Sequence, residues 1–230
     1  MDVDAWLARH RTHRLACVSA AERRTLALLR TPAAAHLWLP EHNGAKPPAD
    51  IRVHRARPIE PAPTASRIVS VPDMLEQVST CLAEEEAMIV WESALHLRLV
   101  TKWQLLRIPW RNPRARALAV DASDLSESLL ETLVLHRLRR AGLEVRQQVR
   151  ILGRRVDFLV AGALVVQTDG FEHHSDPIQR GSDIEHDARL LLNGRPVIRL
   201  DYHDVVDDWE LSEARIVRAT TVFREGVAAP

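Results

Sequence analysis

The chain has little lysine, little cysteine and no long apolar segment. No apolar run approaches the roughly 18 residues that would suggest a membrane span. The first residues, MDVDAWLARHR, are acidic and then basic, and they lack the apolar core of a secretory signal. We therefore expect a cytoplasmic protein.

Cysteine occurs only as Cys17 and Cys81. The two lie far apart in the sequence, and neither has a CxxC partner of the kind found in metal or redox motifs. In a cytoplasmic protein this pattern predicts two reduced, small, buried side chains.

Charge is balanced over the chain but unevenly distributed along it. The 230 residues have a net charge of zero, yet residues 1–120 hold 17 Lys and Arg against 12 Asp and Glu, and residues 121–230 hold 14 against 19. Lys46 and Lys102 are the only lysines, so arginine supplies nearly all of the positive charge. Net charge gives no argument for nucleic-acid binding, but a basic N-terminal half permits it.

The pattern of apolar and turn residues divides the chain into two regions, 1–120 and 121–230. The first is predicted to be a smaller, mostly helical α+β domain, with Ser19 and Glu22 as a capping box and Asp73 as a second helix cap. Its predicted segments are a helix at 19–29, strands at 37–39 and 51–55, a proline-rich connector at 57–67, helices at 71–100 and 102–108, and a basic, proline-broken passage at 110–124.

The second region alternates helices and strands. Leu130, Val134, Leu138 and Ala141 form an apolar stripe, and Gly142 is a natural helix end. The predicted segments are a helix at 124–142, strands at 145–152, 155–160 and 164–169, a helix at 183–194, a strand at 196–202 and a helix at 211–225. This order predicts an α/β fold with a mixed sheet flanked by helices.

Polar residues interrupt the predicted hairpin RRVDFLVAGALVVQTD. If the turn is centred on Gly162, Asp157 faces Gln167 across the two strands. Asp169 is two residues beyond Gln167 and therefore emerges on the same face. The hairpin is thus predicted to present two carboxylates and an amide together.

Such a group of oxygen ligands is typical of a Mg²⁺ site that acts on phosphate. Glu127 and Glu131, predicted to lie one turn apart on the preceding helix, could add a carboxylate. His173 or His174 could transfer a proton near neutral pH. Each residue taken alone also has a structural interpretation, as a turn, cap or surface residue.

Residues 126–205 resemble the endonuclease-like domain of the very-short-patch-repair endonucleases, within the PD-(D/E)XK superfamily. The motif residues are Glu127-Ser128, Glu131, Gln148, Asp157, Gln167-Thr168-Asp169-Gly170, His174, Asp183, Asp187, Leu190, Gly194 and Val197-Ile198-Arg199. The resemblance implies a restriction-endonuclease-like fold and a DNA endonuclease that depends on Mg²⁺ or Mn²⁺.

The implied site is assigned residue by residue. The catalytic residues would be Asp157, Gln167, Asp169, His174 and Glu131, with the metal held by Asp157, Gln167, Asp169 and Glu127. Two departures from the family pattern stand out: Gln167 replaces a glutamate, and His186 replaces an arginine. No lysine follows Lys102, so the superfamily's catalytic lysine cannot come from this domain, and His174 or a metal-bound water would replace it.

The first 120 residues loosely resemble type IV abortive-infection antitoxins, which implies a degenerate winged helix. A helical packing domain without a nucleic-acid role is an equal alternative. Arg111, Arg114 and Arg116 would contact DNA phosphate, or else form a solvated linker. His173 would bind DNA and position its neighbour His174.

Three functions are therefore open: a metal-dependent DNA endonuclease, an inactive nuclease fold that serves as a DNA-binding or antitoxin-like regulator, and a protein-interaction module.

Overall fold

The computed structural model describes residues 3–41, 47–169 and 177–227. The chain divides into two compact units, Met1–Leu129 and Leu130–Pro230, and each combines helices with a small mixed sheet. No helix in the described part of the chain is both long and apolar enough to cross a membrane.

The N-terminal unit packs helices against a three-stranded sheet. Its elements are α1 (Val3–Arg9), β1 (Arg14–Leu15), α2 (Cys17–Arg23), β2 (Ala35–Trp38), β3 (Ile51–His54), α3 (Val71–Cys81), α4 (Glu84–His96), α5 (Lys102–Leu105) and α6 (Pro113–Asp121). Strand β1 is antiparallel to β2, whereas β2 and β3 are parallel. A parallel pair cannot form a β-hairpin, so these two strands do not form the wing that a winged helix would need.

The predicted capping box at Ser19 and Glu22 is wrong. Helix α2 begins at Cys17, two residues earlier, and Ala16 is its N-cap residue. The Ser19 hydroxyl instead accepts a hydrogen bond from the backbone N–H of His36, at 2.9 Å. The side chain that looked like a helix cap therefore ties α2 to β2.

The long helix predicted at 71–100 is two helices, α3 and α4, separated at Leu82 and Ala83. The N-cap residue of α3 is Ser70, whose hydroxyl accepts from the Asp73 N–H at 3.2 Å. Asp73 was predicted to be the cap, but its carboxylate accepts the Ile59 N–H at 2.6 Å. The buried carboxylate thus holds the proline-rich connector onto the helix.

The basic passage predicted at 110–124 contains a helix, α6. Asn112 caps it by accepting the Arg114 N–H at 3.0 Å, and Pro113 occupies the first turn, where a missing N–H costs nothing. The ring centroids of Trp91 and Trp110 lie 4.8 Å apart in the core of the same unit.

The C-terminal unit contains the four-stranded mixed sheet that the sequence predicts. Its elements are α7 (Leu129–Arg140), β4 (Val145–Ile151), β5 (Arg154–Val160), β6 (Leu164–Thr168), α8 (Pro177–Leu192), β7 (Val197–Leu200), α9 (Tyr202–Val206) and α10 (Trp209–Val227). Strands β4, β5 and β6 form an antiparallel meander, and α8 connects β6 to the parallel strand β7.

Helix α7 begins at Leu129, five residues later than the sequence predicts, and α8 begins six residues earlier. Glu127 therefore precedes the helix, and the prediction that it lies one turn from Glu131 on the same helix is wrong. The end of α7 follows the prediction: Gly142 has a φ of +77°, and its N–H donates to the Arg139 carbonyl at 2.9 Å.

Candidate functional site

Four polar residues occupy one transverse row of the C-terminal sheet, one on each strand. We call this set the polar row: Gln148, Asp157, Gln167 and Arg199. On β6 and β7 the register pairs Gln167 directly with Arg199. Strand β5 pairs Phe158 with Val166, so the next position places Asp157 opposite Gln167, which is the predicted register.

The row continues onto β4. The neighbouring pairs, Gln147 with Phe158 and Val149 with Val156, leave Gln148 opposite Asp157. Gln148 has a φ of +52°, a strained conformation for a non-glycine residue that costs about 1–3 kcal/mol. Local strain of this kind re-aims a side chain and is concentrated at functional sites.

The Gln148 side chain connects the sheet to helix α7. Its Nε2 donates to Glu131 Oε2 at 2.8 Å, and Glu131 is itself buried, with 6% exposure. A carboxylate only accepts, so the amide nitrogen must face it and the amide oxygen must point elsewhere. That oxygen, Gln148 Oε1, is buried and has no hydrogen-bond partner.

The Asp157 carboxylate accepts two hydrogen bonds from Thr168 at the end of the hairpin. Its Oδ2 accepts the Thr168 backbone N–H at 2.8 Å and the Thr168 hydroxyl at 3.1 Å. These bonds explain why an acid interrupts an otherwise apolar strand: it satisfies a backbone donor where the ladder between β5 and β6 ends.

The predicted ligand Asp169 is held by an arginine. Arg199 Nη1 donates to Asp169 Oδ1 at 2.9 Å, while Arg199 Nε and Nη2 form a two-pronged contact with Asp187, at 2.8 and 3.2 Å. Burial would by itself lower the pKa of Arg199, but the hydrogen bond to Asp187 and the charges of both carboxylates raise it above its ordinary value. The guanidinium is therefore a permanent positive charge on this face.

The structure thus places four predicted residues on or beside the polar row: Asp157, Gln167, Asp169 and Glu131. Glu127 lies in the N-terminal unit and is exposed. His173, His174 and Gly170 lie outside the described residues. The sequence analysis predicted a face of carboxylates and did not predict that Arg199 binds Asp169 and Asp187. Aligning β7 with β6 would have placed Arg199 opposite Gln167.

The predicted DNA-binding arginines lie around the start of α6. Arg116 Nη1 donates to the Trp110 carbonyl at 2.7 Å, so this guanidinium helps to fix the turn before its own helix. The backbone N–H groups of Arg111 and Arg114 donate to Glu76 and Asn112. The Arg116 side chain and the backbone of Arg111 and Arg114 therefore have structural roles.

His186 on α8 is a buried histidine, 5% exposed, and neither ring nitrogen has a hydrogen-bond partner. Burial lowers its pKa, and the nearby positive charges of Arg154 and Arg189 act in the same direction against the weaker pull of Asp187 and Asp183. Folding therefore favours the neutral form of the ring.

The N-terminal unit contains a second cluster, which the sequence analysis missed. We call it the Cys/His cluster: Cys17, His36, His54 and Cys81, whose ligand atoms all lie within 4.8 Å of one another. Among residues 3–41, 47–169 and 177–227, no other three or more His, Cys, Asp or Glu side chains converge in this way. The carboxylates around the polar row do not form such a group.

Both cysteines are free thiols, as predicted, but only Cys17 is buried, and the prediction that Cys81 is buried is wrong because its side chain is partly exposed. Cys17 begins α2 and Cys81 ends α3, and the packing of these helices brings the two together. A hydrogen bond between the thiols raises the pKa of Cys17, as does burial, and lowers the pKa of Cys81. No spacing motif marks this cluster, because each ligand comes from a different element.

No protein-family profile matches the chain, and no curated protein matches it. Among solved structures, the catalytic domain of the homing endonuclease I-Bth0305I superposes with a TM-score of 0.37 and 16% sequence identity. The superposition covers 41% of this chain and 95% of that domain. So loose a similarity carries no functional conclusion.

Proposed function

We propose that the C-terminal unit is a nuclease domain of the very-short-patch-repair type, which hydrolyses DNA phosphodiester bonds with the help of Mg²⁺ or Mn²⁺. The observation that supports this best is the polar row. Four polar side chains cross the sheet beside buried apolar residues such as Phe158 and Val166, and acidic partners flank both ends of the row. Gln148, Asp157 and Arg199 each have a hydrogen-bond partner, but apolar residues at these positions would avoid the cost of burying polar groups, so packing alone does not require the row.

The donor set fits a hard divalent cation. Gln148 Oε1 is a buried oxygen without a partner, and leaving such an atom unpaired costs about 1–3 kcal/mol. Asp157, Glu131 and the Gln167 carbonyl would complete a set of carboxylate and amide oxygens of the kind that binds Mg²⁺. When bound, the ion would polarise a phosphoryl oxygen and lower the pKa of water.

Arg199 would take the electrostatic role that lysine has in the superfamily. Its pKa is too high for proton transfer, but a fixed guanidinium stabilises charge that develops on phosphate. Asp169 and Asp187 would act as positioning residues that hold it by three hydrogen bonds. His174 remains the proposed proton-transfer residue, with His173 beside it.

The test combines metal binding with cleavage. Calorimetry with Mn²⁺ and a plasmid-nicking assay would compare the wild type, Asp157→Ala, Gln167→Glu and the control Asp208→Ala, which removes an exposed carboxylate outside the polar row. We expect Asp157→Ala to lose both binding and cleavage, Gln167→Glu to bind more tightly, and the control to behave as the wild type. Wild-type levels of both in Asp157→Ala would overturn the proposal.

A second candidate is a nuclease fold without cleavage that binds DNA as a regulator. Two observations favour it: Gln167 is neutral, and Arg199 already neutralises the Asp169 carboxylate. This candidate predicts salt-dependent DNA binding with no nicking in Mg²⁺ or Mn²⁺. If DNA does not bind at all, both candidates fail and a protein-interaction module remains.

A further inference from the structure

We infer that the N-terminal unit binds one structural Zn²⁺ through the Cys/His cluster, with Cys17, His36, His54 and Cys81 as its four ligands. This inference is independent of the proposed nuclease function, because the cluster lies entirely within the N-terminal unit.

The chemistry of the ligands selects the ion. Two sulfurs and two imidazole nitrogens form the Cys₂His₂ set that zinc adopts in structural sites. Carboxylate ligands, which Mg²⁺ and Ca²⁺ require, are absent from the cluster. Two thiolates and a divalent ion sum to zero charge, so the complex can lie in the interior without an uncompensated charge.

The spacing of the ligands matches a tetrahedral site. With zinc–nitrogen and zinc–sulfur bonds of about 2.0–2.3 Å, the ligand atoms around one ion lie roughly 3.3–3.8 Å apart. The facing nitrogens of His36 and His54 are 3.0 Å apart, and Cys81 Sγ lies 4.0 Å from His54 Nε2. These separations bracket the tetrahedral values, so an ion requires only small side-chain adjustments.

The backbone around the ligands is already fixed. The Cys17 N–H donates to the Gln77 side-chain oxygen at 2.8 Å, and the His36 N–H donates to Ser19 Oγ at 2.9 Å. Cys17 also has a φ of +47°, a strained conformation that the surrounding structure must hold in place. Backbone strain and buried hydrogen bonds to the backbone of metal-ligand residues are features of a built site.

The site is closed, which argues for a structural ion. All four tetrahedral positions are filled by protein, and no position is left for water or substrate. Cys17 is fully buried and His36 is 7% exposed, while His54 and Cys81 are half-buried. The ligands come from α2, β2, β3 and α3, so one ion would join two helices and two strands of a unit whose sheet has only three short strands.

The test measures zinc in the purified full-length chain by elemental analysis, followed by Co²⁺ substitution. We expect one zinc per chain in the wild type, and a cobalt–thiolate charge-transfer band after exchange. Cys81→Ser and His54→Ala should each lose most of the zinc and weaken the band. His96→Ala, which removes an exposed histidine outside the cluster, and Asp157→Ala, which changes the polar row, should both keep it.

A variant that fails to fold would not obscure the result, because the zinc content and the Co²⁺ spectrum of the wild type are measured independently of the variants. Wild-type protein without zinc, whose reduced metal-free form shows no thiolate band on adding Co²⁺, would overturn the inference. So would a mass two hydrogens lower than the reduced chain, since this would reveal a disulfide between Cys17 and Cys81.

Discussion

The two units group their polar side chains for different chemical purposes. The Cys/His cluster gathers four soft ligands that would fill every position around an ion, with Cys17 and His36 buried and His54 and Cys81 half-buried. The polar row gathers oxygen ligands and an arginine at a half-buried strand end, where Asp157, Gln167 and Arg199 retain access to solvent. Closed sites stabilise a fold, whereas open ones can reach a substrate. We therefore expect changes to the cluster to alter stability and changes to the row to alter activity.

The largest effect is expected from removing zinc. Structural zinc binding has apparent free energies of about 10–16 kcal/mol in small zinc domains, so its removal should lower the free energy of unfolding of the N-terminal unit by at least about 3 kcal/mol. Tryptophan fluorescence can follow this unit, because Trp209 is the only tryptophan outside it. A Trp209→Phe background, unfolded in urea with and without chelator, isolates the signal. A urea midpoint that the chelator leaves unchanged would show that the cluster does not stabilise the N-terminal unit.

A smaller loss of stability is expected when Arg199 is replaced by alanine. Asp169 and Asp187 would lose a two-sided ion pair that is partly exposed, with a cost of about 1–2 kcal/mol after solvent screening. The same change frees the Asp169 carboxylate, so Mn²⁺ should bind more tightly. Calorimetry and urea unfolding check the two effects. Weaker Mn²⁺ binding would show that Arg199 supports the metal ligands instead of competing with the ion.

The Arg199→Lys variant sharpens this result. Lysine keeps the charge but cannot make the two-pronged contact with Asp187, so about 1 kcal/mol of stability should be lost with little change in Mn²⁺ affinity. If Arg199→Ala and Arg199→Lys change stability and Mn²⁺ affinity equally, the two-pronged geometry of the guanidinium matters and its charge does not.

Acid should destabilise the C-terminal unit through His186. Its pKa is lowered on folding, mainly by burial, so the unfolded chain binds more protons. The contribution to stability is complete above the unfolded pKa of about 6.5 and falls as the pH drops from there to the lower folded pKa. Urea unfolding at several pH values in this window should show a shallower decline for His186→Leu than for the wild type. Parallel curves would contradict this.

Ser19 supports the cluster through a hydrogen bond to a ligand's backbone and is not itself a ligand. Ser19→Ala leaves the buried His36 N–H without its acceptor, at a cost of about 1–3 kcal/mol in stability. Zinc affinity should fall by about tenfold or more, as for other partners of metal ligands. Competition with a chromogenic chelator measures this. Ser66→Ala, which removes a half-buried hydroxyl outside the cluster, is the matched control.

Local sequence patterns were enough to predict the strands of the C-terminal unit and the register of its hairpin. A turn centred on Gly162 sets which residues of β5 and β6 face each other, and a one-residue slip would change every pair, so this turn places Asp157 opposite Gln167. Helix starts were less predictable: Ser19 and Asp73 look like caps, yet both bind distant backbone groups. A cap signal specifies a hydrogen-bond acceptor but does not specify which donor reaches it.

Both candidate sites also depend on contacts that no local pattern predicts. Cys17, His36, His54 and Cys81 are separated by long stretches of chain, and no local rule relates them. They meet because α2 packs on α3 while β2 pairs with β3. Arg199 likewise reaches Asp169 because β7 adds to the sheet in parallel after the α8 crossover. Contacts between residues far apart in the chain depend on how the elements pack, which periodicity and spacing do not encode.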